Sequence, residues 1–488
     1  MALAAALALS ACAVRDVETP TALVPPAPTY LQAPIGPPPG AWWEARLDDS
    51  ALRRLVEAAL LNSPDLQAAS ARIAQARAEA RLARANRSPS LGGSADVTAS
   101  RTSPAQTGFD PGRLGIPGVE ADSERLTFGL GVDAAWDVDL FGRLRADQRA
   151  ARLRLSAAGA DAAAVRLALI TDVARALTAA RAADARAAVV RQSVQAARDL
   201  VSITSARTRA GLVAGIDEVR ARGLLAETAA ALPQLEGERE RQVAILSTLT
   251  ALPPAEIGTL AGSGGASSGI RVGRFGAPAA GVPSDLLRRR PDIGAALFRL
   301  RASDSDVAAQ VADRFPRLTI TAGLGLIATA LGDVFSGDAL FASAGPGLAG
   351  PVLDFGRNRA RVEGARARTA EALANYRGTL LDAFGEVEQA LALIRARERQ
   401  GLLLAEQVRA QADTARIARI QYRAGLADFL GVLDAEQALF RAREAEARVA
   451  GELADAELVL FRAVGGDLGA ATDTPIRPVV PAEAEASM

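Results

Sequence analysis

The side chains that ordinarily transfer protons, attack carbonyls and ligate metals near neutral pH are almost missing from this sequence. Its 488 residues include no His and one Cys, and every basic residue is Arg, so no imidazole can serve as general base or zinc ligand. An enzyme is not expected. The 56 basic and 56 acidic residues balance to a formal charge of zero, so no bulk field draws nucleic acid. The single thiol does suggest chemistry. Cys12 ends the order Leu9-Ser10-Ala11-Cys12 after an apolar Ala-Leu run, the pattern of a bacterial lipobox, whose thiol is lipidated and becomes the mature N-terminus. No cation precedes that run, a departure from the full signal pattern. A covalent lipid on Cys12 is the only cofactor expected.

The scaffold around any site is written twice. Pro64-Asp65-Leu66 returns as Pro291-Asp292-Ile293 and Pro89 returns as Pro316, both at one offset. Phe141-Gly142-Arg143 returns as Phe355-Gly356-Arg357 and Arg209-Ala210-Gly211-Leu212 as Arg423-Ala424-Gly425-Leu426, both at a second, slightly smaller offset. Two constant offsets indicate a duplicated fold. Their difference gives the first copy about thirteen extra residues between Pro89 and Phe141, placed between Ser100 and Glu124 in a loop where length can vary.

Within each copy two patterns alternate. No proline falls between Gly142 and Pro233 or between Pro351 and Pro475, and Ala, Leu, Arg and Glu dominate both intervals, which predicts long helices. The run from Arg143 to Thr208 would reach on the order of 100 Å at the α-helical rise. Gly211 and Gly425 then break these helices and a second periodic run returns, so each copy holds a helical hairpin. Before each hairpin the period changes to two. Leu126, Phe128, Leu130, Val132, Ala134, Trp136 and Val138 alternate with small or acidic residues, and Leu318 to Ala328 repeats the rhythm; Leu91 to Ser100 and about Ala339 to Leu348 show it more weakly. Each copy therefore carries one β-hairpin, of the strand length and alternation seen in membrane barrels, although a soluble sandwich would alternate equally well. Four strands cannot close a lumen, since closed barrels begin at about eight. Oligomerisation is expected.

The run Val282-Pro283-Ser284-Asp285-Leu286-Leu287-Arg288-Arg289-Arg290-Pro291-Asp292-Ile293, then Phe315-Pro316-Arg317-Leu318, closely resembles the signature of TolC-like outer-membrane efflux proteins of the lipoprotein branch. Trp136-Asp137-Val138-Asp139-Leu140-Phe141-Gly142-Arg143 and the lipobox resemble it too, and the likeness runs from about Ala41 to Gly466. The resemblance implies a mixed α/β membrane protein: a homotrimer sharing a 12-stranded β-barrel that continues as a periplasmic α-helical barrel, lipid-anchored in the bacterial outer membrane. It implies a passive exit duct for small molecules such as drugs, partnered by a periplasmic adaptor and an inner-membrane efflux pump, commonly of the resistance-nodulation-division type. The turns Gly211-Leu212 and Gly425-Leu426 would dock the adaptor. Asp217 and Asp434 match acidic residues lining the closed periplasmic end of the tunnel in relatives, and Tyr422 matches a tyrosine that hydrogen-bonds across to the first hairpin, where Asp217 is the expected partner. Gly431 stands where a second acidic residue often sits, and Ala427 where some relatives keep an Arg. Two alternatives use the same elements: the exit duct of a type I protein secretion system, and a pore-less lipoprotein scaffold or adaptor.

The expected organisation is a signal peptide with its lipobox Cys at 1–12, an extended tether at 13–47 and a first repeat at 48–252. A linker at 253–283, a second repeat at 284–470 and a tail at 471–488 follow. Lipidation has a direct check: Cys12→Ser should abolish labelling by a fatty-acid analogue, and label that persists on the substituted protein contradicts it.

Overall fold

A computed structural model describes residues 49–101, 124–262 and 286–466. Cys12, the tether, the tail, most of the linker and the thirteen-residue excess lie outside the described residues. The chain divides into two compact units, one comprising mainly Ala74–Ser156 and Phe298–Ala374, the other mainly Ala157–Leu297 and the chain from Asn375 onward.

The first unit holds the sheet. Strands β1 (Ser90–Arg101), β2 (Glu124–Val138), β3 (Arg317–Ala328) and β4 (Leu340–Ala349) run antiparallel in the order β1-β2-β3-β4. Both weak strands, β1 and β4, form where the alternation placed them. The register sets Ala95, Leu130, Leu326 and Leu340 in one row, and Gly93, Val132, Leu324 and Ala342 in another. Because opposed residues share a face, one face is apolar as far as Arg101 at its end. It is also bare: Leu91 is 78% exposed and Leu324 56%. The opposite face carries Asp96, Thr98, Thr127, Asp133, Thr319, Thr321 and Ser343 among glycines. Those glycines make room for the acids, because a Cβ on Gly129 would come within 2.6 Å of the Asp96 carboxylate and one on Gly92 within 3.0 Å of Asp133. Ile327 and Phe341 interrupt the polar face at one end, and Phe341 lies against Gly325, where a Cβ would meet its ring at 2.6 Å.

Past β2 the chain turns into a helix at Phe141-Gly142-Arg143. Phe141 stacks on Phe315 with ring centroids 4.7 Å apart. Asp139 accepts from the Leu144 and Arg145 amides at 3.0 and 2.9 Å, capping the new helix. The second copy shifts its cap by one residue. There Asp354 accepts from Gly356 and Asn358, both at 3.0 Å.

The helices are α1 (Ser50–Asn62), α2 (Pro64–Ala85), α3 (Arg143–Arg209), α4 (Gly215–Thr250), α5 (Pro254–Gly262), α6 (Leu286–Arg289), α7 (Pro291–Ala312), α8 (Arg357–Arg423) and α9 (Phe429–Ala463). The two proline-free intervals produce α3 and α8 at 67 residues each. α4 continues through Pro233, because Leu232 and Leu235 on either side pack into a core with Val190 and Val194 of α3, and packing overrides the local propensity. A short helix lies at the start of the stretch expected as the linker, 253–283. Pro254 opens α5, whose Ile257 and Ala261, one turn apart, are buried with Leu246 of α4 and Leu55 of α1. Arg290 and Asp292 of the signature are structural: Arg290 reaches Asp292 at 2.6 Å, Glu386 of α8, and the Ala463 carbonyl at 3.0 Å, tying three helices together.

The sheet sets a two-sided expectation. With its apolar face in lipid, Leu130→Arg should cost roughly 2–4 kcal/mol in a membrane folding assay, whereas Asp133→Arg on the opposite face should chiefly change conductance. Equal folding penalties on both faces would argue for a soluble sandwich.

Candidate functional site

The residues expected to form a gate gather where the helical unit turns. α3 and α8, counterparts in the two copies, end in the same way. The Leu212 amide donates to the Arg207 carbonyl and the Leu426 amide to the Gln421 carbonyl, both at 2.9 Å, while the Gly211 and Gly425 amides donate to Thr208 and Tyr422 at 3.0 Å. This 6→1 and 5→2 pairing requires a left-handed residue at the break. Gly211 and Gly425 supply it at φ of 72° and 73°, a conformation that costs a Cβ-bearing residue energy. Leu212 and Leu426 then project outward, 68% and 80% exposed, with Ile216 and Val219 also exposed beyond the first turn. Two apolar knobs therefore stand at the turns.

Behind the turns all four long helices meet in one core: Ala197 and Leu200 of α3, Ala221 and Leu224 of α4, Tyr422 of α8, and Phe429 and Val432 of α9. Tyr422 is buried, with its ring edge-on to Phe429 at 5.5 Å. Asp217, half-buried in the first turn of α4, is close enough for its charge to act on the Tyr422 phenol. Burial first and Asp217 second raise that phenol above its ordinary value, against a smaller lowering by Arg207. The two residues therefore come together, but the expected hydrogen bond is not made, for the Tyr422 hydroxyl has no partner among the described residues.

Arg207 makes the link instead. Its guanidinium donates to the Tyr422 main-chain carbonyl and lies 4.6 Å above the Tyr422 ring centre, so one cation holds both the backbone and the π face of the second hairpin. Where Ala427 offers no cation from the second hairpin, Arg207 supplies one from the first. Arg207 carries no sequence signal of its own, since its counterpart in the second copy is Gln421. Asp428 had a signal, an acid just before an apolar periodic run: it caps α9, accepting from the Gly431 amide at 3.0 Å. Asp434 is exposed on α9 and takes no part in the Arg207 link. Two residues further along α9, the buried Glu436 meets Arg419 of α8 at 2.7 Å. Burial raises the Glu436 carboxyl, partly offset by Arg419 and Arg443.

A duplicated unit with an amphipathic four-stranded sheet, 67-residue helices and paired left-handed turns defines a class: a channel subunit of the bacterial outer membrane. The chain belongs to the outer membrane efflux protein family, whose model matches residues 55–252 and 282–466. It is 31% identical to the pyoverdine export outer membrane protein OpmQ of Pseudomonas putida, over 96% of this chain and 98% of that protein. To the outer membrane protein OprJ of Pseudomonas aeruginosa it is 31% identical, over 80% and 79% of the two chains. Among solved structures it resembles the outer-membrane channel OprN, with a TM-score of 0.77 and 31% identity over 93% of this chain and 98% of that one. VceC of Vibrio cholerae gives 0.76 and 28% over 87% and 98%. The chain is an outer-membrane efflux channel, the exit duct of a tripartite system, and its family is one of channels rather than enzymes.

Two substitutions separate the observed link from the expected one. Arg207→Ala removes a charged hydrogen bond worth about 1.5–3 kcal/mol and should raise single-channel conductance in planar bilayers. Tyr422→Phe removes a hydroxyl that bonds to nothing described and should leave conductance unchanged. Glu436 adds a pH test. A carboxyl whose folded pKa is raised contributes stability present at low pH and lost as pH rises through that folded value, so stability should fall across that interval and Glu436→Gln should flatten the fall.

Proposed function

We propose that three copies of this chain share one 12-stranded barrel in the outer membrane and that their helical hairpins enclose the duct that continues from it. The open edges of the sheet carry this reading: among the described residues β1 and β4 each leave one side of their backbone unpaired, and lipid offers no hydrogen-bond partner. Cys12 carries the lipid, which adds an anchor to the barrel because one acyl chain alone holds a protein only marginally. The knobs at Leu212 and Leu426 receive the tip of a periplasmic adaptor, which joins the duct to an inner-membrane pump of the resistance-nodulation-division type. Asp217 and Asp434, repeated threefold, form carboxylate rings at the closed end that favour cations. The pump selects the cargo, a small molecule such as a drug; the OpmQ relative is named for pyoverdine export. The pore-less scaffold loses its support in the amphipathic four-stranded sheet.

In a strain lacking the native gene, the intact chain should restore drug resistance. Leu212→Asp combined with Leu426→Asp should return sensitivity to that of the deletion while leaving outer-membrane channels that still conduct. Full resistance from the double variant would place the adaptor elsewhere. Asp434→Ala should weaken block by multivalent cations in bilayers without raising conductance; unchanged block would remove Asp434 from the pore.

A further inference from the structure

The internal duplication sets two arginines in equivalent places with opposite company. Arg143 opens α3, and the offset that carries Phe141 to Phe355 carries it to Arg357, which opens α8. Arg143 is surrounded by acid: Asp137 at 3.6 Å, Asp147 at 3.3 Å and Asp313 at 3.5 Å. None of those carboxylates survives at its counterpart position. Asp137 becomes Pro351, Asp147 becomes Arg361 and Asp313 becomes Asn86. Arg357 therefore loses three anions and gains a cation, because Arg361 lies four residues on and shares its face of α8. Both are exposed. Among the described residues Arg361 reaches the Asn358 side-chain oxygen at 3.5 Å, and no ion pair joins either guanidinium to a carboxylate.

The two arginines line a cavity. It measures about 320 Å³ and lies between the start of β3, the end of β4 and the start of α8, with Arg317 as a third cation and Asp313, Asp354 and Asn358 in its wall. Both acids are already engaged. Asp313 accepts from Arg317 at 2.7 Å and is shared with Arg143, while Asp354 accepts from the Gly356 and Asn358 amides. Like charges on one helix face destabilise each other, and the positive end of a 67-residue helix adds to them. Arg317 alternates with Thr321 and Thr319 along β3, which puts it on the polar face of the sheet.

We propose that this cavity is an oxyanion site on the duct wall, which takes the carboxylate or phosphate groups of a small anionic solute as it passes. The inference rests on the shared-barrel reading, under which the polar face of the sheet lines the duct, and adds to it a class of cargo. Planar guanidinium forks match the paired oxygens of a carboxylate or phosphate. A single water needs only about 10–15 Å³ of such space, so the cavity admits a solute carrying two or three acidic groups. The equivalent space beside Arg143, where protein carboxylates already stand, measures about 30 Å³. Exposed guanidiniums hold an anion loosely. Conduction needs this, since a solute must leave as readily as it enters.

Benzene-1,3,5-tricarboxylate tests the site, with the neutral triamide of the same ring as its control. Titrated calorimetrically into the purified full-length channel, the triacid should bind at one site per chain and the triamide should not. Arg357→Gln with Arg361→Gln should weaken binding about tenfold or more, as expected for charged hydrogen bonds. Arg359→Gln removes a charge from the same stretch of helix, but Arg359 is paired with Glu363 at 2.9 Å and does not line the cavity, so this variant should bind as the parent does. No binding by the parent, equal affinity in the double variant, or an equal loss in Arg359→Gln overturns the site. In planar bilayers, with Arg207→Ala to raise conductance, the triacid should reduce the current, and adding Arg357→Gln and Arg361→Gln should abolish that effect. Binding that leaves the current untouched overturns the placement on the duct wall. Native mass spectrometry of the same preparation keeps the two readings apart: three-chain particles that bind no triacid overturn the site and leave the shared barrel standing, whereas a single-chain mass removes the wall that the site would line.

Discussion

The rest of the structure depends on the unpaired backbone at β1 and β4. A sheet with one largely apolar face can lie against hydrocarbon, but each outward amide and carbonyl at its edges would then meet no water, at a cost of several kcal/mol per orphan group. Twisting a four-stranded sheet shut does not help, because four strands are too few to surround even their own side chains. On the proposed reading, other copies supply the missing partners. Glycine on the polar face follows from the same arrangement, since Asp96 and Asp133 need the space over Gly129 and Gly92 to lie along the sheet.

Duplication gives the chain two copies of one device and leaves each free to diverge. The helix ends at Gly211 and Gly425 agree in dihedral angle and in hydrogen bonds, so the backbone has been kept. The side chains around them have not: Arg207 faces a counterpart Gln421, Tyr422 a counterpart Thr208, and the Asp428 cap a counterpart Ala214 that makes no side-chain bond. The asymmetry falls where one hairpin holds the other. The unequal pair places a cation from one hairpin over a ring of the other, which is why the proposed gate is tested at Arg207.

Much of this was legible in the residues because it follows from spacing. Constant offsets reveal the repeat, absence of proline reveals α3 and α8, and a period of two reveals even the weak strands β1 and β4. Sequence could not reach contacts between segments far apart in the chain. Arg207 and Tyr422 are 215 residues apart, and nothing local marks either as the other's partner, so an Asp217 to Tyr422 hydrogen bond was expected where the Tyr422 hydroxyl stays unpaired among the described residues. α5 was missed for the opposite reason. It is short, it begins beside a Pro pair, and its two buried positions, Ile257 and Ala261, are too few to show a period.

The central claim is that several chains complete one barrel. Native mass spectrometry of the channel extracted from outer membranes measures this with the least interpretation: the account predicts a particle of three chains that conducts when reconstituted. A conducting particle whose mass is that of one chain would contradict it, because a single four-stranded sheet would then have found some other way to satisfy its edges in lipid.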